Sequence, residues 1–233
     1  MNIALLGYGK MGKAIERIAL KRGHQIVLKV SSDTSAYTLD NIDVAIDFSL
    51  PSSAVENISK CILQNTPVIS GTTGWLDEYD KILSLCKVHN GTFLYASNFS
   101  LGVNIFFEIN KTLARLMNTT PQYKINIEEI HHTQKLDAPS GTAITLANDI
   151  IENSDYNNWT LDKPKQKEIG ILAKRIENVP GTHKINYESS IDSISIKHTA
   201  HNREGFALGA VITAEWIQDK KGVFTMKDVL NIG

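Results

Sequence analysis

Between Glu129 and Ala143 the chain gathers His131-His132, Lys135, Asp137 and Ser140-Gly141-Thr142 into one short run. Two imidazoles and an ammonium so close together can donate and accept protons near neutral pH. Ser140-Gly141-Thr142 precedes the helical pattern Ala143, Ile144, Leu146, Ala147, Ile150 and Ile151. That order puts hydroxyls and unpaired backbone N–H groups at a helix N-terminus, where a carboxylate or phosphate is favoured. The run therefore reads as a site that holds an anion while histidine and lysine do proton chemistry. No third metal ligand stands at a helical or loop spacing from His131 and His132, and Asp137 is suited to fixing the turn before Pro139, so no metal is expected.

A second run points to a nucleotide. Gly7-Tyr8-Gly9-Lys10-Met11-Gly12 follows a predicted strand and opens a predicted helix, the setting that gives a G-x-G-x-x-G match its meaning. Gly7 permits a tight turn, Gly9 lets a pyrophosphate approach the backbone, and Gly12 lets helix and strand pack closely. The acid expected at the end of the second strand is replaced by Ser31 and Ser32, with Asp33 next. The serines suit a 2′-phosphate and an inward Asp33 suits plain NADH, so the reading is tolerance of NADH and NADPH within about a hundredfold. Phe48 is expected beside the nicotinamide or adenine, with Asp47 either a ligand or a loop cap. Gly71-Thr72-Thr73 and Ser97-Asn98-Phe99-Ser100 follow further strands, placed to line a nicotinamide-ribose pocket or to serve only as turns.

The elements that must position these groups are legible. Short apolar runs at Ile3–Leu6, Ile26–Val30, Val44–Phe48, Pro67–Ser70 and Phe93–Ala96, with helical patterns between several of them, have the rhythm of a parallel sheet. In the first helix Ala14, Ile15, Ile18 and Ala19 form one stripe, Lys13, Glu16, Arg17 and Lys21 take the other face, and Gly23 supplies a stop. Past Leu101 a helix from Val103 to Met117 leads into strands at Lys124–Ile130, Ile169–Ile176, Thr182–Tyr187 and Ser193–His198, an antiparallel or mixed α+β lobe. Asn153 to Lys167 reads as a mobile loop, and Gly205 to Ile217 as a small-residue helix that docks back on the first lobe.

Composition narrows the partners. The 233 residues carry 24 Lys+Arg against 25 Asp+Glu, for a net charge of −1 at pH 7. With no basic block, the chain is not expected to bind nucleic acid or an anionic membrane. Cys61 and Cys86 sit singly among apolar neighbours, which fits a reducing, cytoplasmic home. Neither a targeting leader nor an apolar run near the roughly 20 residues of a membrane span is read.

Taken together, these residues resemble the 4-hydroxy-tetrahydrodipicolinate (dihydrodipicolinate) reductase family of lysine and diaminopimelate biosynthesis. Its most specific part is His131-His132-x-x-Lys135-x-Asp137-Ala138-Pro139-Ser140-Gly141-Thr142-Ala143. Supporting parts are Gly7 to Gly12, Asp47-Phe48-Ser49, Gly71-Thr72-Thr73, Ser97 to Ser100 with Gly102-Val103-Asn104, and His198-Thr199-Ala200 with Arg203. The resemblance implies that NAD(P)H reduces a cyclic imine dicarboxylate to tetrahydrodipicolinate. His131 takes the place of the family's acid/base histidine, Lys135 of its proton-donating, substrate-binding lysine, and His132 of a substrate contact. Gly141 and Thr142 match the turn whose backbone binds a carboxylate. Thr133-Gln134 depart from a commonly basic position, and Asn126 stands where many relatives have an acid.

The expectation is thus a two-lobe α/β reductase. Residues 1–101 and 204–233 form a Rossmann-type dinucleotide-binding lobe, and 102–203 a substrate and assembly lobe, with the active site in the cleft between them. Arg203 is read as a cofactor or interlobe contact, and the family's habit implies a homotetramer. Two alternatives stay open: another two-lobe nicotinamide-dependent dehydrogenase, and a non-catalytic NAD(H) sensor. Against them stand the lack of a cysteine nucleophile in the second lobe and the lack of a basic helix-turn-helix.

Overall fold

The structure is a computed structural model and describes residues 1–34, 36–202 and 204–232. The chain divides into two compact units, Met1–Leu101 with Glu204–Gly233, and Gly102–Arg203.

The first unit is built on a parallel sheet. Its strands are β1 (Asn2–Leu6), β2 (Gln25–Val30), β3 (Val44–Asp47), β4 (Val68–Ser70), β5 (Thr92–Tyr95) and β11 (Gly222–Phe224), ordered β11-β5-β4-β3-β1-β2. Alternation along the strands sends Ile3, Leu5 and Ile46 to one face, where they bury against α1 (Lys10–Lys21) and α6 (Glu204–Ile217). Ala4, Leu6 and Ala45 go to the other face, against α2 (Pro51–Leu63) and α3 (Tyr79–Val88). β3 is buried at all four positions, as a central strand covered on both faces must be. The expected return helix is α6, whose Ala207, Ala210, Val211 and Ala214 join the core of α1. A Cβ on Gly209 would lie 1.7 Å from the Phe99 carbonyl oxygen, so only glycine lets α6 approach that closely. Strand order reverses direction between β1 and β3, the switch point beyond whose carboxyl ends nucleotides bind in such sheets.

In the second unit the order is β10-β9-β6-β8-β7, from β6 (Lys124–His131), β7 (Asn158–Thr160), β8 (Glu168–Arg175), β9 (Gly181–Glu188) and β10 (Ser193–Ala200). β6 runs antiparallel to β9 and parallel to β8, which makes the sheet mixed. Ile125, Ile127, Ile169, Ile171, Ile185 and Tyr187 form its core with α4 (Leu101–Met117) and α5 (Gly141–Glu152).

Two elements differ from the sequence reading. The stretch expected to be a mobile loop contains β7, which pairs in parallel with β8, and β11 extends the first sheet past β5. Both are three-residue edge strands, too short to show a period, and their pairing is decided by the neighbouring strand rather than by local sequence.

Candidate active site

The helix-facing side of β6 begins as core, with Ile125 and Ile127, and ends in Glu129 and His131. Pairing brings the remaining polar groups to that end. Glu129 lies opposite His183 of β9, and His131 opposite Arg175 of β8. The Glu129 carboxylate is completely buried. Its Oε1 accepts the Ser140 N–H at 3.1 Å and an Arg175 Nη2–H at 3.2 Å. Its Oε2 stands 3.2 Å from His131 Nδ1 and 3.8 Å from His183 Nε2. The His131 contact is an ion pair by distance and falls outside hydrogen-bond alignment. Burial alone would raise the Glu129 carboxyl, but His131 and Ser140 outweigh it and hold the group down at about 2.

His183 behaves oppositely. Burial, with neighbouring His131 adding to it, pushes its imidazole down to about 4. It lies 3.2 Å from Ser140 Oγ and meets the His131 ring edge-on, centroids 5.1 Å apart. Ser140 is the N-cap of α5, its Oγ accepting the Ala143 N–H at 3.2 Å. That hydroxyl is thus committed to the helix and to His183. The next two residues are more open: a Cβ on Gly141 would meet nothing within 4 Å, and Thr142 is half-buried. The anion-holding capacity expected of this turn therefore resides in the first N–H groups of α5.

Lys135 rises from the loop after β6 and places Nζ 2.8 Å from both Asp137 oxygens. Asp137 is the more exposed partner, so the pair can open for an incoming carboxylate. Arg175 fastens this loop by donating to the carbonyls of Lys135 and Asp137 at 3.3 and 2.6 Å. His132 lines a hollow of about 630 Å³ with Thr133, Gln134, Asn178 and His201.

Glu129, Arg175 and His183 are the members that spacing along the chain does not reveal. They also place a third ligand type beside His131 in space, where spacing along the chain offers none: ligand atoms of Glu129, His131 and His183 lie within 4.8 Å of one another. The reason is cross-strand pairing, which local spacing cannot show. Arg175 already supplies a positive charge to this carboxylate.

In the first unit the Gly-rich turn divides the work among its glycines. Gly7 has φ +100° and its Cβ would lie 2.2 Å from the Phe48 carbonyl oxygen; a Cβ on Gly12 would lie 2.4 Å from that of Gly7. Gly9 has open space in front of it and caps α1 without any side-chain hydrogen bond. The free N–H groups at Lys10, Met11 and Gly12 and the room before Gly9 fit a pyrophosphate. A groove of about 740 Å³ adjoins, lined by Tyr8, Ser31, Ser32, Thr34, Phe48 and Lys60 among others. Asp33 is not among its described lining residues; it accepts from Ser32 Oγ at 3.3 Å. Lys60 on α2 lines this groove with its ammonium donating to the Tyr37 carbonyl, a placement that spacing along the chain does not show.

Other residues expected to line the cofactor also make contacts within the scaffold. Asp47 is buried and accepts from Ser70 Oγ and Thr72 Oγ1, each at 2.8 Å, and from Asn57 Nδ2 at 3.2 Å. Burial raises its carboxyl despite these donors. Thr72 Oγ1 also accepts the Ser49 N–H at 2.9 Å, so its hydroxyl locks two loops together. Gly71 leaves room for the Phe48 ring, 2.3 Å from where its Cβ would stand. Phe99 is a core residue beside Phe48, ring centroids 5.7 Å apart, and Asn98 Oδ1 accepts the Ser100 N–H at 2.9 Å. Thr73 and Ser97 are exposed at the loop surface, and Arg203 lies outside the described residues.

A dinucleotide-type parallel sheet and a carboxylate-backed histidine with a lysine define the class: a two-domain oxidoreductase that uses a nicotinamide nucleotide. Residues 1–99 match the family model for the N-terminus of dihydrodipicolinate reductase, and residues 102–230 that for its C-terminus. The chain is 58% identical to the 4-hydroxy-tetrahydrodipicolinate reductase of Christiangramia forsetii, across 99% of this chain and 98% of that one. It is 37% identical to the enzyme of the same name from Rickettsia canadensis, across 100% and 99%. In fold it is similar to the dipicolinate-bound dihydrodipicolinate reductase of Paenisporosarcina sp. TG-14, with a TM-score of 0.77, 22% identity and 97% of each chain covered. The chain belongs to the dihydrodipicolinate reductase family, NAD(P)H-dependent oxidoreductases of lysine biosynthesis.

Proposed function

We propose that the chain reduces 4-hydroxy-tetrahydrodipicolinate to tetrahydrodipicolinate, the 4-hydroxyl leaving as water before or during reduction, with the first unit holding NADH or NADPH and the second holding the dicarboxylate. The observation that carries the substrate half is the convergence of Glu129, Arg175 and His183 on His131, next to a lysine and an open helix N-terminus. Reduced nicotinamide, when bound, supplies the hydride. Gly7, Gly9 and Gly12 with the start of α1 hold the pyrophosphate, and Ser31, Ser32 and Lys60 line the groove for the adenosine end.

On the substrate side Lys135 exchanges Asp137 for a substrate carboxylate, and the N–H groups of Gly141 and Thr142 take the other. Fixing both carboxylates orients the ring and lowers the entropic part of the barrier. His131 delivers the proton that quenches the electron density left by reduction, and Glu129 stabilises the imidazolium before that transfer. Lys135, beside the Asp137 carboxylate, adds electrostatic stabilisation and a second donor.

Self-assembly through the second sheet is part of the proposal. The face opposite α4 and α5 carries a polar ladder in which Ser195 donates to Asn186 at 2.7 Å and Asn186 to Asn126 at 2.8 Å, next to a half-exposed Leu172. Such a face suits a homotetramer. No helix among the described residues is long and apolar enough to cross a membrane, and both cysteines are free and buried, which supports a cytoplasmic enzyme.

The test is oxidation of NADH and NADPH by the purified protein while the condensation product of pyruvate and aspartate-semialdehyde is generated in the cuvette. Prompt oxidation is expected with both cofactors. A folded protein that binds NADH yet oxidises neither contradicts the proposal.

A further inference from the structure

We infer that Glu129 and Arg175 are positioning residues that set the charge state of His131: the buried carboxylate, 3.2 Å from Nδ1, favours positive charge on the ring, and the guanidinium on its other oxygen limits that preference. The inference rests on the acid/base reading of His131 and names what makes it work.

Geometry supplies the argument. One carboxylate oxygen, Glu129 Oε2, stands before two imidazoles, and the other, Oε1, is taken by Ser140 N–H and Arg175. A buried carboxylate so placed stabilises positive charge on a neighbouring ring strongly, because little solvent screens it. With Arg175 already balancing its charge, a second imidazolium would leave the cluster with surplus buried positive charge. His183 is disfavoured as the charged member by its burial and by proximity to His131.

The ring's other nitrogen is the free end. A Cβ on Gly181, the residue after the opposing pair, would lie 3.2 Å from His131 Nε2. Glycine there leaves that nitrogen uncrowded. The groups facing this cluster are Glu129 on β6, Arg175 on β8, His183 on β9, His198 on β10 beside His183, and Lys135 and Asp137 in the loop after β6. Arg175 also holds the carbonyls of Lys135 and Asp137, so one guanidinium links the loop bearing the lysine to the carboxylate behind the histidine.

The experiment is the pH profile of kcat for Glu129→Gln and Arg175→Gln, with NADH affinity measured alongside. Glu129→Gln should move the alkaline limb down by about one unit or more and lower kcat at pH 7.5 by about tenfold or more, with the NADH Kd unchanged. Arg175→Gln should move the same limb up. Opposite shifts are a signature that loosened packing does not produce. Limbs that coincide with the wild type, or that move in the same direction, overturn the inference. His131→Gln separates the two levels. If it keeps full kcat, the acid/base reading fails and takes the inference with it; if it is crippled while the limbs do not move, the inference alone fails. Should Glu129→Gln not fold, nitrogen-15 shifts of His131 in the wild type and in Arg175→Gln decide. The ring is expected to be more fully protonated in Arg175→Gln than in the wild type at the same pH; no difference, or the reverse, overturns the inference.

Discussion

Replacing His183 with glutamine removes an imidazole that the fold holds neutral, and the consequence is a change in acid stability. In the folded chain burial and the nearby His131 ring push His183 down to about 4, whereas in an unfolded chain it returns to an ordinary value of about 6.5. The unfolded state therefore binds the extra proton first as pH falls, and stability drops between those two values. At pH 7 the difference is about 0.2 kcal/mol; at pH 5 the unfolded histidine is largely charged and the folded one is not, and the difference is about 2 kcal/mol. His183 is nearly inaccessible, so solvent screening does not reduce this figure much. Asp149, whose carboxyl burial raises to about 6 against the pull of Lys111, acts in the opposite sense over the same range. Its contribution is the same in both proteins and cancels in the comparison. Glutamine keeps an atom near the Nε2 position to face Ser140 Oγ, so the helix cap survives. Urea unfolding at pH 7 and pH 5, at one fixed protomer concentration, should show the wild type losing about 2 kcal/mol more than the variant on going to the lower pH. Equal pH dependence in the two proteins would refute the reasoning.

The Gly-rich turn should separate folding from binding. Gly7→Ala meets the Phe48 carbonyl at a left-handed φ and should cost about 2 kcal/mol or more in thermal or urea unfolding, whereas Gly9→Ala enters open space at a permitted φ and should leave stability within about 0.5 kcal/mol. Gly9→Ala should nevertheless weaken NADH binding about tenfold or more by calorimetry, because the methyl stands where the pyrophosphate approaches. Lys60→Glu should lower the NADPH-to-NADH ratio of kcat/KM about tenfold or more, since Lys60 is a cation lining the same groove as Ser31 and Ser32, where it donates to the Tyr37 carbonyl; an unchanged ratio places the 2′-phosphate elsewhere.

Much of the site was legible because its chemistry is written in consecutive residues. His131, Lys135 and the helix start at Ser140 lie within one loop, and the strand–turn–helix around Gly7 to Gly12 carries its own confirming context. Five strands of the first unit are visible as apolar runs bounded by polar turns; β1, β3, β4 and β5 are central parallel strands buried on both faces, and β2 is the edge strand. What spacing could not show is what register creates. Glu129, Arg175 and His183 meet because β6 pairs with β8 and β9, partners about fifty residues away along the chain. Side-chain direction was likewise hidden: Thr72 and Phe99 lie in loops that looked like ligand contacts, yet the hydroxyl locks Asp47 and Ser49 and the ring fills the core. Asp33, the one acid near the end of β2 in sequence, stays out of the groove that Lys60 enters from α2.

The most direct test of the account compares His131→Gln and Lys135→Ala in steady-state turnover, with NADH affinity measured separately. The two assigned roles predict that His131→Gln lowers kcat about a hundredfold or more with little change in substrate KM, and that Lys135→Ala lowers kcat and raises KM together. NADH should bind both variants as it binds the wild type. Wild-type kinetics in both variants would contradict the assignment of this loop as the reacting end of the enzyme.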